Sequence, residues 1–280
     1  MITPLHFFLL SFILISHSFH RLLITIASLN ITVVWCNVMS CSIELKSVSQ
    51  SFRNNAAEKN ASTITLFENL DLSICQGQSY AITGPSGAGK SSLLMLLSGL
   101  ENPTSGQGVY ISNSQRSPLD NLRSEIGFIF QQFHLLPELT ALHNIALPLK
   151  LRGDKQAIKK AKHWLEKVGL LERANHKPLQ LSGGEQQRVA IARALVFSPK
   201  FIFADEPTGN LDQHNANEIS DTLFACCQEN NAGLIIVTHN SLLASKADNI
   251  YSLANGKLTK APSTKADNSQ KIELKQVASC

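Results

Sequence analysis

A glycine-rich segment between a strand and a helix constrains the fold of this chain more than any other feature. Residues 84–91 read GPSGAGKS and fit the pattern G-x-x-x-x-G-K-[ST]. An apolar run at 80–83 precedes the segment, and an apolar helical pattern at 91–100 follows it. Such glycines let successive backbone N–H groups converge on phosphate oxygens, and the helix start adds partial positive charge. The segment predicts a nucleotide-phosphate site in an α/β fold.

The loop and the residue after it supply the candidate nucleotide-binding positions. These are Gly84, Pro85, Ser86, Gly87, Ala88, Gly89, Lys90, Ser91 and Ser92. In this kind of loop the lysine reaches the β- and γ-phosphates and the serine hydroxyl ligates Mg²⁺. We therefore expect Lys90 to bind phosphate and Ser91 to bind the metal.

Two acids follow a second apolar strand. Residues 201–204 read FIFA and are followed by Asp205 and Glu206. Carboxylates at the carboxyl end of a core strand face the phosphate loop in open α/β sheets. We expect Asp205 to hold Mg²⁺ and Glu206 to act as the general base for an attacking water. Alone, the two acids fit an ordinary turn equally well.

A third segment has the spacing of a helix cap. Leu181, Ser182, Gly183, Gly184 and Glu185 open an apolar helical pattern that stops before Pro199. Ser182 and Glu185 have capping-box spacing. The pattern fits a well-capped helix, or a second anion site built from exposed N–H groups at the helix start.

These segments together resemble the ATP-binding subunits of ABC transporters, whose signature L-S-G-G-[QE] matches residues 181–185. The resemblance covers about residues 43–260. It implies an α/β fold, the P-loop NTPase ABC nucleotide-binding domain, with a RecA-like core, an antiparallel β subdomain and a helical subdomain at about 133–184. It also implies hydrolysis of ATP with Mg²⁺ by two copies paired head to tail, each signature gripping in trans the ATP held by the other copy.

The resemblance assigns further residues. Gln131 looks like the Q-loop glutamine that contacts Mg²⁺ and the γ-phosphate, Asp212 belongs to the D-loop, and His239 is similar to the switch histidine. Phe52 is the candidate for stacking on adenine, with a plain core role as the alternative. Glu206, His239 and Gln131 are thus the expected catalytic residues, and Ser91, Gln131 and Asp205 the expected metal ligands.

Within the family, residues 204–212 (ADEPTGNLD) and 131–137 (QQFHLLP) resemble the MacB/LolD/FtsE branch, with the LolD type and the YbbA type both near. This implies a peripheral subunit on the cytoplasmic face of the bacterial inner membrane. Its permease, which moves lipoproteins, lipids or other envelope substrates, is expected to contact residues 133–149, from Phe133 to Leu149. The alternative is a soluble regulatory ABC-type ATPase that signals without transport.

The chain departs from the branch at three places. Asn240 stands where Asp is usual, the stretch 109–124 is short, and residues 1–38 have no counterpart. That first segment is apolar, with Arg21 as its one formally charged side chain. We interpret it as a mis-called start before Met39 or as a membrane anchor. We expect residues 39–260 to form the ABC domain and the polar tail 261–280 to be disordered.

Charge and cysteine spacing exclude other classes. The net charge is +4 with no Lys/Arg block, so the chain lacks the basic surface that nucleic-acid binding needs. Its 6 cysteines form neither a C-x-x-C pair nor a His-flanked cluster. The sequence therefore predicts no nucleic-acid partner, no zinc site and no disulfide framework.

Overall fold

The structure is a computed structural model that describes residues 41–53 and 63–261. The strands are β1 (Ser42–Arg53), β2 (Thr63–Cys75), β3 (Ser79–Thr83), β4 (Ser105–Ser112), β5 (Gln115–Pro118), β6 (Ile126–Ile129), β7 (Phe201–Asp205), β8 (Gly233–Val237), β9 (Asn249–Ala254) and β10 (Lys257–Lys260). The helices are α1 (Lys90–Leu97), α2 (Ala141–Leu151), α3 (Ala157–Lys167), α4 (Gly183–Leu195), α5 (Gln213–Glu229) and α6 (Ser241–Ser245). The predictions for residues 1–38 and for the tail after Ala261 lie outside the described residues.

A six-stranded sheet of order β10-β9-β3-β8-β7-β6 forms the centre of the fold. Its strands pair in parallel except β10, which is antiparallel to β9. Alternate residues of β7 enter different clusters: Phe201 and Phe203 pack on one face, Ile202 and Ala204 on the other. Burial of one such Phe side chain contributes about 1.5–3 kcal/mol. The sheet is apolar on both faces because helices or a second sheet cover each.

The second sheet is four-stranded and antiparallel, with order β2-β1-β4-β5. The stretch 109–124, noted as short in the sequence, forms most of the β4–β5 hairpin and part of the following 3₁₀ helix Leu119–Glu125. Asn113 and Ser114 connect the hairpin with φ of 49° and 64°. Two left-handed residues match the twist of antiparallel strands, so the hairpin closes with a minimal turn.

The helical part of the chain follows β6. Helix α2 packs against α3 and α4, and α4 also contacts α5 and β6. Pro148 lies inside α2. A proline removes one backbone hydrogen bond of a helix, and the buried residues Ile145 and Leu149 on either side keep α2 packed on the core. Among the described residues, no helix has the length and apolar character that crossing a membrane requires.

Three cysteines of the described residues, Cys41, Cys226 and Cys227, are free and buried.

Candidate nucleotide site

The glycine-rich loop connects β3 to α1 and has the backbone form that a phosphate cradle needs. Gly84 has φ of 152°, and a Cβ there would lie 2.1 Å from the carbonyl oxygen of Leu253 on β9. Gly87 has φ of 78°, and a Cβ there would meet nothing within 4 Å. The loop thus packs against the sheet at Gly84 and is open at Gly87. Helix α1 begins where the loop ends, so the first N–H groups of α1, which have no partner within the helix, lie beside the loop.

Lys90 opens α1 and folds back over the loop. Its Nζ donates to the carbonyl oxygens of Gly84, at 3.0 Å, and Pro85, at 2.9 Å. These bonds hold the ammonium group beside the cradle. A fixed positive charge there fits a polyphosphate.

Ser91 and Asp205 meet at the carboxyl ends of the strands. The Ser91 hydroxyl hydrogen-bonds the Asp205 carboxylate. Burial raises the pKa of Asp205, and Glu206 raises it further, whereas the Ser91 bond and Lys90 lower it. Among residues 41–53 and 63–261, no three His, Cys, Asp or Glu side chains cluster to hold a metal. Hydroxyl and carboxylate oxygens beside a phosphate cradle fit Mg²⁺, which binds protein through a few oxygens together with substrate phosphates.

Glu206 is held by three contacts to the residues that follow β8. Its Oε1 accepts the backbone N–H of His239 at 3.0 Å and lies 2.7 Å from His239 Nδ1. Its Oε2 accepts the Thr238 hydroxyl at 3.0 Å. The backbone of Glu206 has φ of 46° and its N–H donates to Val237. A non-glycine residue in the left-handed region costs on the order of 1 kcal/mol, which the packing around the turn after β7 must offset.

Asn240, where the branch has Asp, keeps the cap of α6. Its Oδ1 accepts the N–H groups of Leu242 and Leu243 at 2.9 and 3.3 Å. An amide oxygen serves as well as a carboxylate for this purpose. The substitution therefore leaves the backbone after His239 in its capped form.

Gln131 lies two residues after β6, next to the turn that follows β7. Its Nε2 donates to Asn210 Oδ1 at 3.1 Å, and Asn210 Nδ2 donates to the Gln131 carbonyl at 2.9 Å. Asp212 closes the same turn by capping α5, where Oδ1 accepts the Asn215 N–H at 3.1 Å. Hydrogen bonds to Asn215 lower the Asp212 pKa. The Q-loop and D-loop positions are thus in direct contact.

The signature segment forms the expected capping box at the start of α4. Ser182 Oγ accepts the Glu185 N–H at 3.3 Å, and the Ser182 N–H donates to Glu185 Oε2 at 2.7 Å. That backbone bond is the main reason the Glu185 pKa is lowered, and Arg173, 3.2 Å away, lowers it further. Leu181 and Gly184 are buried, whereas Ser182 and Gly183 are exposed. The helix start is therefore open to a partner.

Phe52 lies on β1 opposite Ile64 and is 45% exposed. The alternative of a plain core role is therefore wrong. An exposed ring on the strand pair before the phosphate loop remains available for stacking on a base.

Comparison with known proteins identifies the family. A family model described as ABC transporter matches residues 67–209. Two curated relatives are each named lipoprotein-releasing system ATP-binding protein LolD. The one from Legionella pneumophila (strain Lens) is 47% identical over 206 residues, which cover 70% of this chain and 90% of the relative. The one from Acinetobacter baylyi is 45% identical over 226 residues, which cover 76% and 95%.

The chain belongs to the ABC transporter family. It is an ATP-binding subunit of the LolD type. The dimeric structure of MJ0796, a bacterial ABC transporter cassette, is 36% identical with a TM-score of 0.66 and covers 78% of this chain and 98% of that one. A second MJ0796 structure, of a post-hydrolysis state bound to ADP and Pi, is 35% identical with a TM-score of 0.66. The ABC ATPase fold and ATP hydrolysis predicted from the sequence are confirmed.

Three residues of this ABC ATPase escaped the sequence analysis. Thr238 holds Glu206, Asn210 holds Gln131, and Gln187 of α4 is fully buried and donates to the Pro207 carbonyl at 2.6 Å. All three adjoin or lie within recognised motifs. Their position next to a motif is the feature of the sequence that points to them. Their hydrogen-bond partners, in contrast, are set by strand register and helix packing.

Proposed function

We propose that this ABC ATPase powers a permease that releases lipoproteins from the membrane in which it sits. The proposal is supported by the names of the LolD relatives, which this chain matches over 90% or more of their length. In this proposal the chain is a peripheral subunit at the cytoplasmic face of a bacterial inner membrane. Its own part is to bind and hydrolyse ATP.

Within the site, the backbone of residues 84–89 and Lys90 bind the phosphates, and Ser91, Asp205 and Gln131 would hold Mg²⁺. When bound, Mg²⁺ neutralises charge on the phosphates during transfer. Glu206 accepts the proton of the attacking water, and His239 lies beside Glu206 and that water. The observation that carries this assignment is the three-point anchoring of Glu206 by Thr238 and His239. A base fixed in this way needs no reorganisation when the proton moves.

A head-to-tail dimer would complete each site. Gly183 and Gly184, with Ser182 beside them at the N-cap, present the start of α4 and its N–H groups to the ATP held by the second copy. The exposure of Ser182 and Gly183 and the dimeric MJ0796 cassette support this arrangement. In it, Asp212 lies at the face between copies and Phe52 stacks on adenine.

The permease would contact residues 133–149, and two polar side chains, one half-buried and one fully buried, fix the shape of this segment. Arg193 of α4, whose pKa burial lowers, donates to the carbonyls of Phe133 and His134 at 2.9 and 2.6 Å. Asn144, fully buried, accepts the Leu136 N–H at 2.8 Å and donates to three carbonyls of the loop. Arg193 thus ties the start of the segment to α4, whose first residues would meet the ATP of the second copy, and Asn144 ties the following loop to α2.

Reconstitution tests the proposal. The tagged full chain is purified from native membranes in mild detergent, and the protein that co-purifies is identified and placed with it in proteoliposomes containing a labelled lipoprotein. We expect a stoichiometric membrane protein and ATP-dependent release that Glu206→Gln abolishes. Recovery of the chain alone, soluble and hydrolysing ATP, would favour the regulatory alternative. Release that continues with Glu206→Gln would contradict the assigned base.

A further inference from the structure

Asn210 and Gln131 are joined by two hydrogen bonds that run in opposite directions. Gln131 follows β6 and Asn210 follows β7, and these neighbouring parallel strands are in register at Ile129 and Ala204. Asn210 Nδ2 donates to the backbone carbonyl of Gln131 at 2.9 Å, and Asn210 Oδ1 accepts Gln131 Nε2 at 3.1 Å. A single side chain therefore contacts both the backbone and the side chain of the Q-loop residue.

The direction of these bonds determines which atom of the Gln131 amide stays free. A backbone carbonyl only accepts hydrogen bonds, so Asn210 must turn its Nδ2 toward it. The Oδ1 of Asn210 then faces the Gln131 side chain, and an acceptor there selects the NH₂ end of that amide. Gln131 is left with its Oε1 free. Oxygen is the atom of an amide that can ligate Mg²⁺.

The surroundings of the pair keep it in place without making it part of the core. Both residues are exposed, so the two bonds add little to the stability of the fold. Gly209 lies against the Gln131 side chain, because a Cβ at Gly209 would be 3.1 Å from Gln131 Nε2. The contact between Asn210 and Gln131 therefore orients the Gln131 amide, and loss of this contact leaves the core unchanged.

We propose that Asn210 is a positioning residue that fixes the orientation of the Gln131 amide, so that Oε1 faces the metal of the bound nucleotide. This rests on the proposed role of Gln131 as a metal ligand. Without Asn210, the Gln131 amide has two orientations, only one of which offers oxygen. Because Asn210 lies two residues before Asp212 in the D-loop, the orientation also depends on the conformation of the turn at the proposed dimer face.

A double-mutant cycle tests this with binding rather than turnover. The full-length protein and its variants are titrated with Mg²⁺ in the presence of a fluorescent, non-hydrolysable ATP analogue. We expect Asn210→Ala to raise the Mg²⁺ concentration for half-maximal binding about twofold, because only one of the two orientations of the freed Gln131 amide offers oxygen to the metal. Binding of the analogue in EDTA stays unchanged. In the Gln131→Glu background Asn210→Ala has no such effect, because both oxygens of a carboxylate can ligate metal.

Asn215→Ala is the matched control. It removes the Asn215 side-chain bond to Asp212 in the same turn and does not touch Gln131, so we expect no change in the Mg²⁺ dependence. If Asn215→Ala reproduces the effect of Asn210→Ala, general loosening of the turn explains it and the proposal is wrong.

Gln131→Ala separates this inference from the proposed function. If it leaves the Mg²⁺ dependence unchanged, Gln131 is not a metal ligand, and both the role and its orientation by Asn210 are wrong. If Gln131→Ala raises the Mg²⁺ concentration for half-maximal binding but Asn210→Ala does not, the role of Gln131 as a metal ligand stands. Only its orientation by Asn210 is then refuted. An equal effect of Asn210→Ala in the Gln131 and Gln131→Glu backgrounds also refutes it.

Discussion

His239 Nδ1 lies 2.7 Å from Glu206 Oε1, and the backbone N–H of His239 donates to the same oxygen at 3.0 Å. The two residues follow adjacent strands, since β7 and β8 pair in parallel up to Asp205 and Val237. The Glu206 side chain is 16% exposed and that of His239 is 73% exposed. The acid is thus sheltered and oriented, and the imidazole stands between it and solvent.

The first prediction concerns Glu206→Gln. The amide keeps the shape of the side chain but cannot take a proton, so we expect ATP turnover to fall about 10²- to 10⁴-fold. ATP affinity should be retained and the ATP-bound dimer should accumulate. Steady-state phosphate release and gel filtration with ATP measure both. Glu229→Gln, which alters an ion pair between α5 and Lys167 of α3, is the control and should behave as wild type.

The second prediction concerns Thr238, which is fully buried. Thr238→Val preserves volume but removes the hydroxyl that donates to Glu206 and accepts the Asn240 N–H at 3.0 Å. We expect kcat to fall about tenfold with ATP affinity unchanged, since one of the three bonds that orient the base is lost. Thr238→Ser restores the hydroxyl and should recover most of kcat. Equal kcat for the Val and Ser variants would show that this bond does not position Glu206.

The central strands and the phosphate loop could be predicted because the residues that define each of them are contiguous in the sequence. The run before Asp205 is apolar throughout, and the run before Gly84 is apolar up to Thr83, which is typical of strands covered on both faces. Asn210 and Thr238 could not be assigned in the same way. Their partners, Gln131 and Glu206, are 79 and 32 residues away in sequence, and only the order and register of β6, β7 and β8 bring them together.

Other features of the fold also have a tertiary origin. Pro148 remains helical because its neighbours in α2 are buried against α3 and α4. The exposure of the Phe52 ring depends on what packs against the end of β1. Such features follow from packing, which a single sequence does not display.

The third prediction uses the raised pKa of Asp205. Burial makes the charged carboxylate costlier in the folded than in the unfolded chain. This cost is fully present above the folded-state pKa, declines as pH falls through it, and vanishes below the unfolded value of 3.8. Asp205→Asn, whose Oδ1 can still accept the Ser91 hydroxyl, should therefore be more stable than wild type at neutral pH, with a gain that shrinks on acidification.

Urea unfolding at pH 7 and at pH 4.5 measures this gain. Asp221→Asn, which removes an exposed partner of Lys246, is the control and should show no comparable stabilisation. The same Asp205 variant should lose Mg²⁺-dependent nucleotide binding, because an amide lacks the anionic oxygen. A stability gap that stays constant with pH would show that burial of the Asp205 charge is not its cause.

The fourth prediction separates two roles of Ser182. As N-cap of α4 its hydroxyl accepts the Glu185 N–H, so Ser182→Ala should lower the free energy of unfolding by about 1 kcal/mol. Ser182→Asp keeps an acceptor and places a negative charge at the positive end of the helix, so stability should be preserved. That charge would repel the γ-phosphate held by the second copy. We therefore expect Ser182→Asp to be stable, yet unable to form the ATP-bound dimer in the Glu206→Gln background.

Thr140→Asp is the matched control for this experiment. Thr140 caps α2 in the same way, its hydroxyl accepting the His143 N–H at 3.3 Å, and it belongs to the segment assigned to the permease. Thr140→Asp should therefore leave the ATP-bound dimer intact in gel filtration. If Ser182→Asp also dimerises with ATP, the start of α4 does not meet the partner's nucleotide, and the head-to-tail arrangement is refuted. If both variants fail to dimerise, added charge is the cause, and the role of Ser182 must instead be judged from Ser182→Ala, which removes the cap without adding charge.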